Sequence, residues 1–257
     1  MYRVVVPARY GSTRLPGKAL LPLAGKPLIQ WVYERACRSG AKQVIIATDD
    51  ERIARAARGF GAEVRITAST HASGTDRVAE VARREQWGET DIVVNVQGDE
   101  PLMPEALIDQ VAAMLAARAG TDIATLAVPL ASVAALLDAN VVKVVSDLQQ
   151  RALYFSRAPI PWSRDAAPAG IDSQASYAGA RRHLGIYAYR VSALKRVAAL
   201  PPSALELLEQ LEQLRALDHG MDIRVADALV APGQDVNTAA DLATVEALLA
   251  AADLKPR

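Results

Sequence analysis

Short β-branched runs alternate with helical segments through the first half of the chain, and this alternation constrains the fold more than any other feature. The runs that predict strands are residues 2–7, 44–47, 62–66, 91–96 and 123–128. The segments that predict helices between them are residues 28–39, 51–60, 75–86 and 104–118. Strands and helices that alternate in this way form right-handed βαβ units. The pattern therefore predicts an α/β fold with a mostly parallel central sheet.

The pattern changes after residue 128. Residues 141–145, 152–155 and 184–190 predict a meander of strands, and a loop rich in Ala, Pro, Gly, Ser and Asp at 163–176 separates the last two. We interpret about 138–190 as an inserted β-rich subdomain or a dimer arm within one domain that spans residues 1–257. The rest of the chain predicts a helix at 203–217, a strand at 223–229 and a closing helix at 238–252.

The first strand leads directly into a loop whose residues suit a nucleoside triphosphate. The loop reads ARYGSTRLPGK over residues 8–18. Its glycines let the backbone approach phosphate closely, and loop amides supply hydrogen-bond donors. Arg9, Arg14 and Lys18 can offset the triphosphate charge. The spacing of the glycines excludes both a Walker A loop and the dinucleotide-binding fingerprint. The alternative is a surface turn with solvated cations.

Two further polar clusters follow predicted strands, where ligands bind in open α/β sheets. Residues 95–101 read NVQGDEP, and Asp99 is placed to hold magnesium together with substrate phosphates. The alternative for Asp99 is the N-cap of the next helix. Residues 69–77 read STHASGTDR, where Thr75 either caps a helix or places its amides against a ligand. We interpret Glu100 as a local hydrogen-bonding or surface group, and His71 as not catalytic.

Composition excludes several classes of protein. The 29 basic and 29 acidic residues give a net charge of zero, which argues against nucleic-acid binding. Cys37 is the single cysteine, so an intramolecular disulfide is impossible and a reducing compartment is expected. We find neither a signal peptide nor a transmembrane run, and therefore expect a cytoplasmic protein without membrane contact. The sequence also offers no convincing nucleophile–histidine pair and no zinc-spaced set of Cys and His.

The three clusters together resemble the signatures of the sugar-acid cytidylyltransferases, in the same order and spacing. Two more segments, YFSRAPIPW at 154–162 and RHLGIY at 182–187, are similar to family members that act on 3-deoxy-D-manno-octulosonate (Kdo). The resemblance implies a Rossmann-like nucleotidyltransferase whose inserted subdomain serves dimerisation and sugar binding. It also implies transfer of CMP from CTP to Kdo with release of pyrophosphate, a step that activates Kdo for lipopolysaccharide biosynthesis. Mg²⁺ as cofactor and a homodimer are further expectations of this kind.

The resemblance assigns roles residue by residue. Lys18, Arg14 and Asp99 match the catalytic positions. The positions that match the nucleotide site are Ala8, Arg9, Ser12, Arg14, Lys18, Ser73, Gly74, Thr75, Arg77 and Gln97. Those that match the sugar site are Gln97, Arg157, His183, Tyr187, Glu206, Glu209 and Gln210. Arg157 suits a sugar-acid carboxylate because a guanidinium binds it bidentately.

The sequence departs from the family at one metal position. The family places a metal-binding Asp in a GVDT segment, but here residues 234–238 read QDVNT and Asn237 stands at the matching place. Its carbonyl is a weaker, neutral ligand. Asp235 lies two residues earlier, on the same side of an extended chain, and can compensate. We therefore expect Asp99, Asn237 and Asp235 to form the metal site, with the cap of the last helix as the alternative role of Asn237.

Two alternative functions remain from the sequence. The first is cytidylyl transfer to another sugar acid, namely sialic acid or 8-amino-Kdo, which residues 157–187 and 206–210 would distinguish. The second is a nucleotide-binding regulatory protein that has lost turnover, an interpretation that only Asn237 favours.

Overall fold

The computed structural model describes residues 1–11 and 15–253. Its strands are β1 (Tyr2–Ala8), β2 (Pro22–Leu23), β3 (Lys26–Pro27), β4 (Val44–Thr48), β5 (Glu63–Ile66), β6 (Ile92–Asn95), β7 (Ile123–Pro129), β8 (Lys143–Ser146), β9 (Ala152–Ser156), β10 (Arg181–Arg190) and β11 (Ile223–Asp227). Its α-helices are α1 (Leu28–Arg38), α2 (Glu51–Gly59), α3 (Gly74–Arg84), α4 (Glu105–Ala116), α5 (Val133–Leu137), α6 (Val191–Ala199), α7 (Ala204–Glu209), α8 (Gln213–Asp218) and α9 (Ala239–Asp253). The predicted alternation of strands and helices is confirmed through α4.

The main sheet has the strand order β11-β7-β10-β6-β1-β4-β5. Neighbouring strands are parallel except at β10, which is antiparallel to both β6 and β7. The prediction of a mostly parallel sheet is therefore confirmed. The two short strands β2 and β3 form a separate hairpin.

The strands of the predicted meander continue the main sheet. Strand β8 pairs antiparallel with both β9 and the start of β10, and β10 then runs on between β6 and β7. The sequence pattern predicted these strands but not that the last of them occupies the centre of the sheet. The segment between β7 and β10 is thus joined to the parallel strands of the main sheet by continuous backbone hydrogen bonds.

Side chains of the central strands alternate between two apolar cores, one on each face of the sheet. Val4 and Val6 of β1 belong to a core with residues of α1, α4 and α9, whereas Val5 faces a second core with residues of α3 and α6. Burial on both faces explains why these strands read as nearly continuous apolar runs. No helix among residues 1–11 and 15–253 has the length and apolar character needed to cross a membrane.

The predicted helix at 203–217 is two helices. Gln210 adopts φ 54°, a left-handed conformation that ends α7, and α8 begins at Gln213. The break turns Leu211 into the apolar core, where it is 6% exposed. Helical periodicity alone does not reveal such a break because Gln210 and its neighbours are good helix formers.

Candidate functional site

A cleft of about 260 Å³ opens at the carboxyl ends of β1 and β6, and all three polar clusters meet there. Predicted residues that line it are Ala8, Arg9 and Lys18 from the first cluster, Ser73, Gly74 and Arg77 from the second, and Gln97 and Asp99 from the third. We call this cleft the nucleotide side. Ser12 and Arg14, which were also assigned to it, lie outside the described residues. His71 lines the cleft as well and bonds to Glu80 through Nε2.

Close backbone packing brings the strand ends together. A Cβ added at Gly98 would lie 2.8 Å from the carbonyl oxygen of Pro7, so only glycine fits between the ends of β1 and β6. A Cβ at Gly233 would lie 2.2 Å from the carbonyl oxygen of Leu102. The second contact holds the segment before α9 against the loop that follows β6.

Lys18 and Asp99 form an ion pair at the edge of the cleft. Lys18 Nζ lies 2.7 Å from Asp99 Oδ2 and 3.0 Å from the carbonyl oxygen of Val236. The backbone N–H of Val236 donates to the carbonyl of Asp99 at 2.9 Å. Helix α4 begins at Glu105 with Pro104 before it, so Asp99 is not its N-cap. Its carboxylate is instead oriented by a cation beside the cleft.

The second cluster forms the start of α3. Ser73, rather than Thr75, caps the helix, because its hydroxyl accepts from the N–H of Asp76 in a capping box. Arg77 is 3% exposed and is tied into the fold, with Nη1 bonded to Thr67 and Nη2 3.1 Å from Asp49. Its guanidinium therefore has protein partners as well as a place in the cleft wall.

Glu212 joins this cluster, although the sequence analysis did not single it out. Ser73 Oγ donates to its Oε1 at 2.6 Å, and Thr75 Oγ1 donates to its Oε2 at 3.0 Å. Burial raises the pKa of Glu212, while these two hydroxyls oppose the rise. Glu212 follows the break after Gln210, and no local motif announces that break. The contact of Glu212 with Ser73 and Thr75 therefore could not be predicted while residues 203–217 were read as one helix.

Four of the predicted sugar residues, Arg157, His183, Tyr187 and Glu209, lie at or against β9 and β10, a region we call the sugar side. The His183 ring packs edge-on against Phe155 and at a tilt of 47° against Tyr187, at centroid distances of 5.0 Å and 5.2 Å. Burial, with a smaller effect of Arg182, lowers the pKa of His183 to about 3. The Tyr187 hydroxyl is buried and bonds to none of the described residues, and burial raises its pKa well above the ordinary value.

Arg157 is held by Glu209 and by main-chain carbonyls. Its backbone N–H donates to Glu209 Oε2 at 2.8 Å, and its guanidinium donates to the carbonyls of Glu209 and Ala139 at 2.7 and 2.9 Å. Burial opposes ionisation of Glu209, but hydrogen bonds from Arg157, Ser156 and Tyr154 hold its pKa below the usual value. Glu209 thus fixes the chain at Arg157.

The other predicted residues of α7 have different environments. Glu206 forms a buried ion pair with Arg215, at 2.5 Å, and completes the capping box of α7 with Ser203. Gln210 is exposed and donates to the carbonyl of Leu207 at 2.7 Å. The contacts therefore give Glu206 a structural partner and bring Glu212, not Gln210, against Ser73 and Thr75 at the start of α3.

The two sides meet at Gly185 in β10. A Cβ built there would lie 3.3 Å from Glu100 Oε1 and 3.8 Å from Gln97 Cγ. Glu100 Oε2 is buried and has no hydrogen-bond partner among the described residues. Burial, followed by the charges of Asp99 and Asp235, raises the pKa of Glu100 to about 8. Glu100 is half-buried, and its Oε2 makes no local hydrogen bond with the described residues.

Asn237 and Asp235 are neighbours in the segment before α9. Asn237 Nδ2 donates to Asp235 Oδ2. The N–H of Asp241 donates to Thr238 Oγ1 at 3.2 Å, so Thr238 provides the side-chain cap of α9. The alternative of Asn237 as that cap is wrong. The backbone hydrogen bond from Val236 to Asp99 shows that this segment lies against the third cluster.

Comparison with known proteins agrees with this geometry. The sequence profile of the family described as cytidylyltransferase matches residues 3–223. The chain therefore belongs to the cytidylyltransferase family. The family resemblance and the fold class predicted from the sequence are both confirmed.

Relatives of nearly the same length carry a more specific name. The chain is 55% identical over 250 residues to a 3-deoxy-manno-octulosonate cytidylyltransferase of Pseudomonas fluorescens strain Pf-5, which covers 97% of this chain and 98% of that one. It is 54% identical over 251 residues to a protein of the same name from Thioalkalivibrio sulfidiphilus, covering 97% and 99%.

Solved structures share the fold. One, a CMP:2-keto-3-deoxy-manno-octonic acid synthetase complexed with CTP, superposes with a TM-score of 0.88 at 42% identity and covers 98% of this chain and 99% of that one. A cytidylyltransferase from Leptospira borgpetersenii superposes with a TM-score of 0.62 at 16% identity, covering 97% and 87%. The second likeness extends to the fold alone.

Proposed function

We propose that this chain transfers CMP from CTP to Kdo, giving CMP-Kdo and pyrophosphate, and so activates Kdo for lipopolysaccharide biosynthesis. The observation that carries the proposal is the convergence of the three clusters on one cleft, in a chain that is 55% identical to a full-length relative named for this reaction. The adjoining sugar side supports a polar acceptor, because it carries Arg157 and a buried Tyr187 hydroxyl that bonds to none of the described residues.

In this reaction the anomeric hydroxyl oxygen of Kdo forms a bond to the α-phosphorus of CTP. The bond from that phosphorus to the oxygen bridging to the β-phosphorus breaks, pyrophosphate leaves with the electron pair, and the hydroxyl proton is released to solvent. No protein nucleophile is required, because positioning and charge neutralisation carry such transfers. Lys18 and Arg9 at the cleft are placed to offset phosphate charge, and the sequence gives Arg14 the same role.

The sugar acid would lie between Gly185 and the aromatic residues of β10. Arg157 is our candidate for its carboxylate, with Glu209 fixing the chain that carries the guanidinium. Gln97 contacts both sides, since it lines the cleft and approaches Gly185. This position suits a residue that orients the acceptor hydroxyl against the α-phosphate.

Magnesium fits the oxygen donors beside the cleft. Asp99, Asp235 and the Asn237 carbonyl would hold it, and Mg²⁺ commonly takes only one or two carboxylates beside substrate phosphates. Asp99 already attracts one cation, Lys18, and the next residue, Glu100, has a buried Oε2 with no hydrogen-bond partner among the described residues. Among the described residues no group of three or more His, Cys, Asp or Glu forms a preformed metal site. When bound, the ion would neutralise phosphate charge and polarise the attacking hydroxyl.

We further propose a cytoplasmic homodimer. Strand β9 lies beyond β8 at the end of the sheet branch, and Leu153 on it is 60% exposed. Leu207 and Leu208 of α7 are also exposed. Apolar side chains of this kind favour burial against a second copy. Light scattering after gel filtration should give the mass of a dimer for the wild type. Leu153→Glu should shift the measured mass towards that of the monomer. A monomeric wild type would contradict the proposal.

A panel of acceptors tests the substrate. The protein would be incubated with CTP, Mg²⁺ and either Kdo, 8-amino-Kdo or sialic acid, and the products followed by phosphorus NMR. We expect the phosphodiester resonance of CMP-Kdo with Kdo, and a much slower reaction with the other two acids. Preferred use of either other acid would reassign the acceptor, whereas CTP binding without turnover on any acid would favour the regulatory alternative.

A further inference from the structure

Thr125 of β7 is completely buried beneath the sugar side and was not singled out by the sequence. Its Oγ1 lies 2.9 Å from His183 Nε2, 3.1 Å from the carbonyl oxygen of Leu184 and 2.7 Å from that of Ile186. These three atoms belong to β10, at the point where its pairing with β7 shifts register between Leu184 and Tyr187. One hydroxyl therefore contacts both ends of a β-bulge.

The three contacts determine where the protons are. A hydroxyl has one hydrogen to donate, and a carbonyl oxygen can only accept. With two carbonyls within reach, the Thr125 hydrogen points to them, best to Ile186 at 2.7 Å. The lone pairs of Oγ1 then face His183 Nε2, which must carry a hydrogen in order to bond. This arrangement selects the neutral tautomer protonated on Nε2 and leaves Nδ1 as a hydrogen-bond acceptor.

The surroundings of His183 favour the same state. Phe155 and Tyr187 pack against the ring and restrict its rotation. Burial and the nearby charge of Arg182 disfavour a second proton. A neutral ring in a fixed orientation presents one acceptor, and a sugar hydroxyl is the matching donor.

We propose that Thr125 is a positioning residue, whose hydroxyl closes the β10 bulge and fixes His183 as the Nε2-protonated tautomer that accepts a hydrogen bond from an acceptor-sugar hydroxyl. The sugar part of this inference rests on the proposed function; the tautomer does not. The hydrogen bonds of Thr125 go to His183, Leu184 and Ile186 and not to the nucleotide side or a predicted metal ligand. Loss of its hydroxyl should therefore weaken binding of the sugar and not of CTP.

The direct test is the tautomer of His183. Long-range proton–nitrogen NMR spectra of protein labelled with ¹⁵N-histidine distinguish the two neutral tautomers, and the three histidines are assigned by single substitutions. In the wild type we expect protonation on Nε2. In Thr125→Val the hydroxyl is lost while the β-branched shape is kept, and we expect a mixed or Nδ1-protonated ring. Protonation of Nδ1 in the wild type would overturn the proposal even if every variant failed to fold.

Kinetics separate positioning from general damage. Thr125→Val should raise KM for Kdo about tenfold, the scale of one lost hydrogen bond, with KM for CTP within about twofold of wild type. Thr125→Ser keeps the hydroxyl and should restore both the tautomer and the KM. Thr121→Val, at a second buried threonine just before β7, is the control for loss of a buried hydroxyl and should leave both unchanged.

The outcomes decide between the possibilities. An unchanged KM for Kdo and an unchanged tautomer in Thr125→Val would overturn the proposal, as would equal damage in Thr125→Ser. If the wild type showed the Nε2-protonated ring but no activity with Kdo, the proposed substrate would fail while the role of Thr125 in fixing His183 would stand.

Discussion

The nucleotide side and the sugar side differ in how they are built. The nucleotide side is an open cleft made of loops that directly follow β1 and β6 and of the start of α3. The sugar side is an aromatic, internally hydrogen-bonded region in which His183, Arg157 and Glu209 already have protein partners. Charge neutralisation needs accessible cations and amides, whereas recognition of one sugar needs groups held in fixed orientations. The difference explains why the residues alone predicted the nucleotide side, whereas the roles of the sugar-side residues came from the family resemblance.

The largest effect should come from Asp99 on the nucleotide side. Asp99→Asn removes the charge that we assign to magnesium and to the orientation of Lys18, so turnover should fall by roughly two orders of magnitude or more. The change is nearly isosteric, and the unfolding midpoint should hardly move. Asp147→Asn, in the turn between β8 and β9, is the matched control and should retain turnover. Near-normal turnover of Asp99→Asn at limiting magnesium would remove Asp99 from the metal site.

Glu212 tests whether the two sides are separable. Its carboxylate accepts from Ser73 and Thr75 at the cleft but belongs to the chain between α7 and α8. Glu212→Gln should therefore raise KM for CTP and for Kdo, each by about tenfold. Glu209→Gln, the same change on the sugar side, should raise KM for Kdo alone. If both variants raised KM for Kdo alone, the contact of Glu212 with α3 would have no part in CTP binding. The two sides would then be more independent than we describe.

Substitutions at Asn237 and Asp235 should have smaller effects, which shift the magnesium requirement in opposite directions. Asn237→Asp adds a negative charge next to the proposed cation and should lower the magnesium concentration for half-maximal activity several-fold, a favourable Coulomb effect even at an effective dielectric of about 20. Asp235→Asn should raise that concentration. The double variant should be non-additive because both residues act on one ion. Unchanged titrations in all three would place neither residue at the metal.

Acid should destabilise the sugar side through His183. Its pKa is about 3 in the folded protein, against an ordinary value of 6.5 for histidine. The unfolded chain binds the proton first, so the stabilising effect is complete above pH 6.5 and is lost as the pH falls towards 3. Compared with His183→Asn, the wild type should lose about 1–2 kcal/mol of unfolding free energy between pH 7 and pH 5. Parallel stability curves from urea unfolding would mean that His183 is solvated.

The sequence predicted the sheet and the order of its early elements from the alternation of strands and helices. It also predicted the nucleotide-side clusters, because a motif that directly follows a strand lies at the end of that strand in the fold. It did not predict that β10 runs antiparallel through the centre, since strand order depends on long-range pairing. Nor did it find Glu212 or Thr125. Glu212 reaches Ser73 and Thr75 because the left-handed turn at Gln210 ends α7. Thr125 looks like an ordinary strand residue in the sequence, and its role depends on the β10 bulge.

Pyrophosphate release tests the account most directly. The rate would be measured with CTP alone, with CTP and Mg²⁺, with CTP and Kdo, and with all three present, using the wild type and Asp99→Asn in parallel. We predict rapid release only from the complete mixture and only with the wild type, because the open nucleotide side must be joined by an acceptor held on the sugar side. Release from CTP and Mg²⁺ at the same rate without Kdo would contradict the account, since the sugar side would then have no part in the reaction.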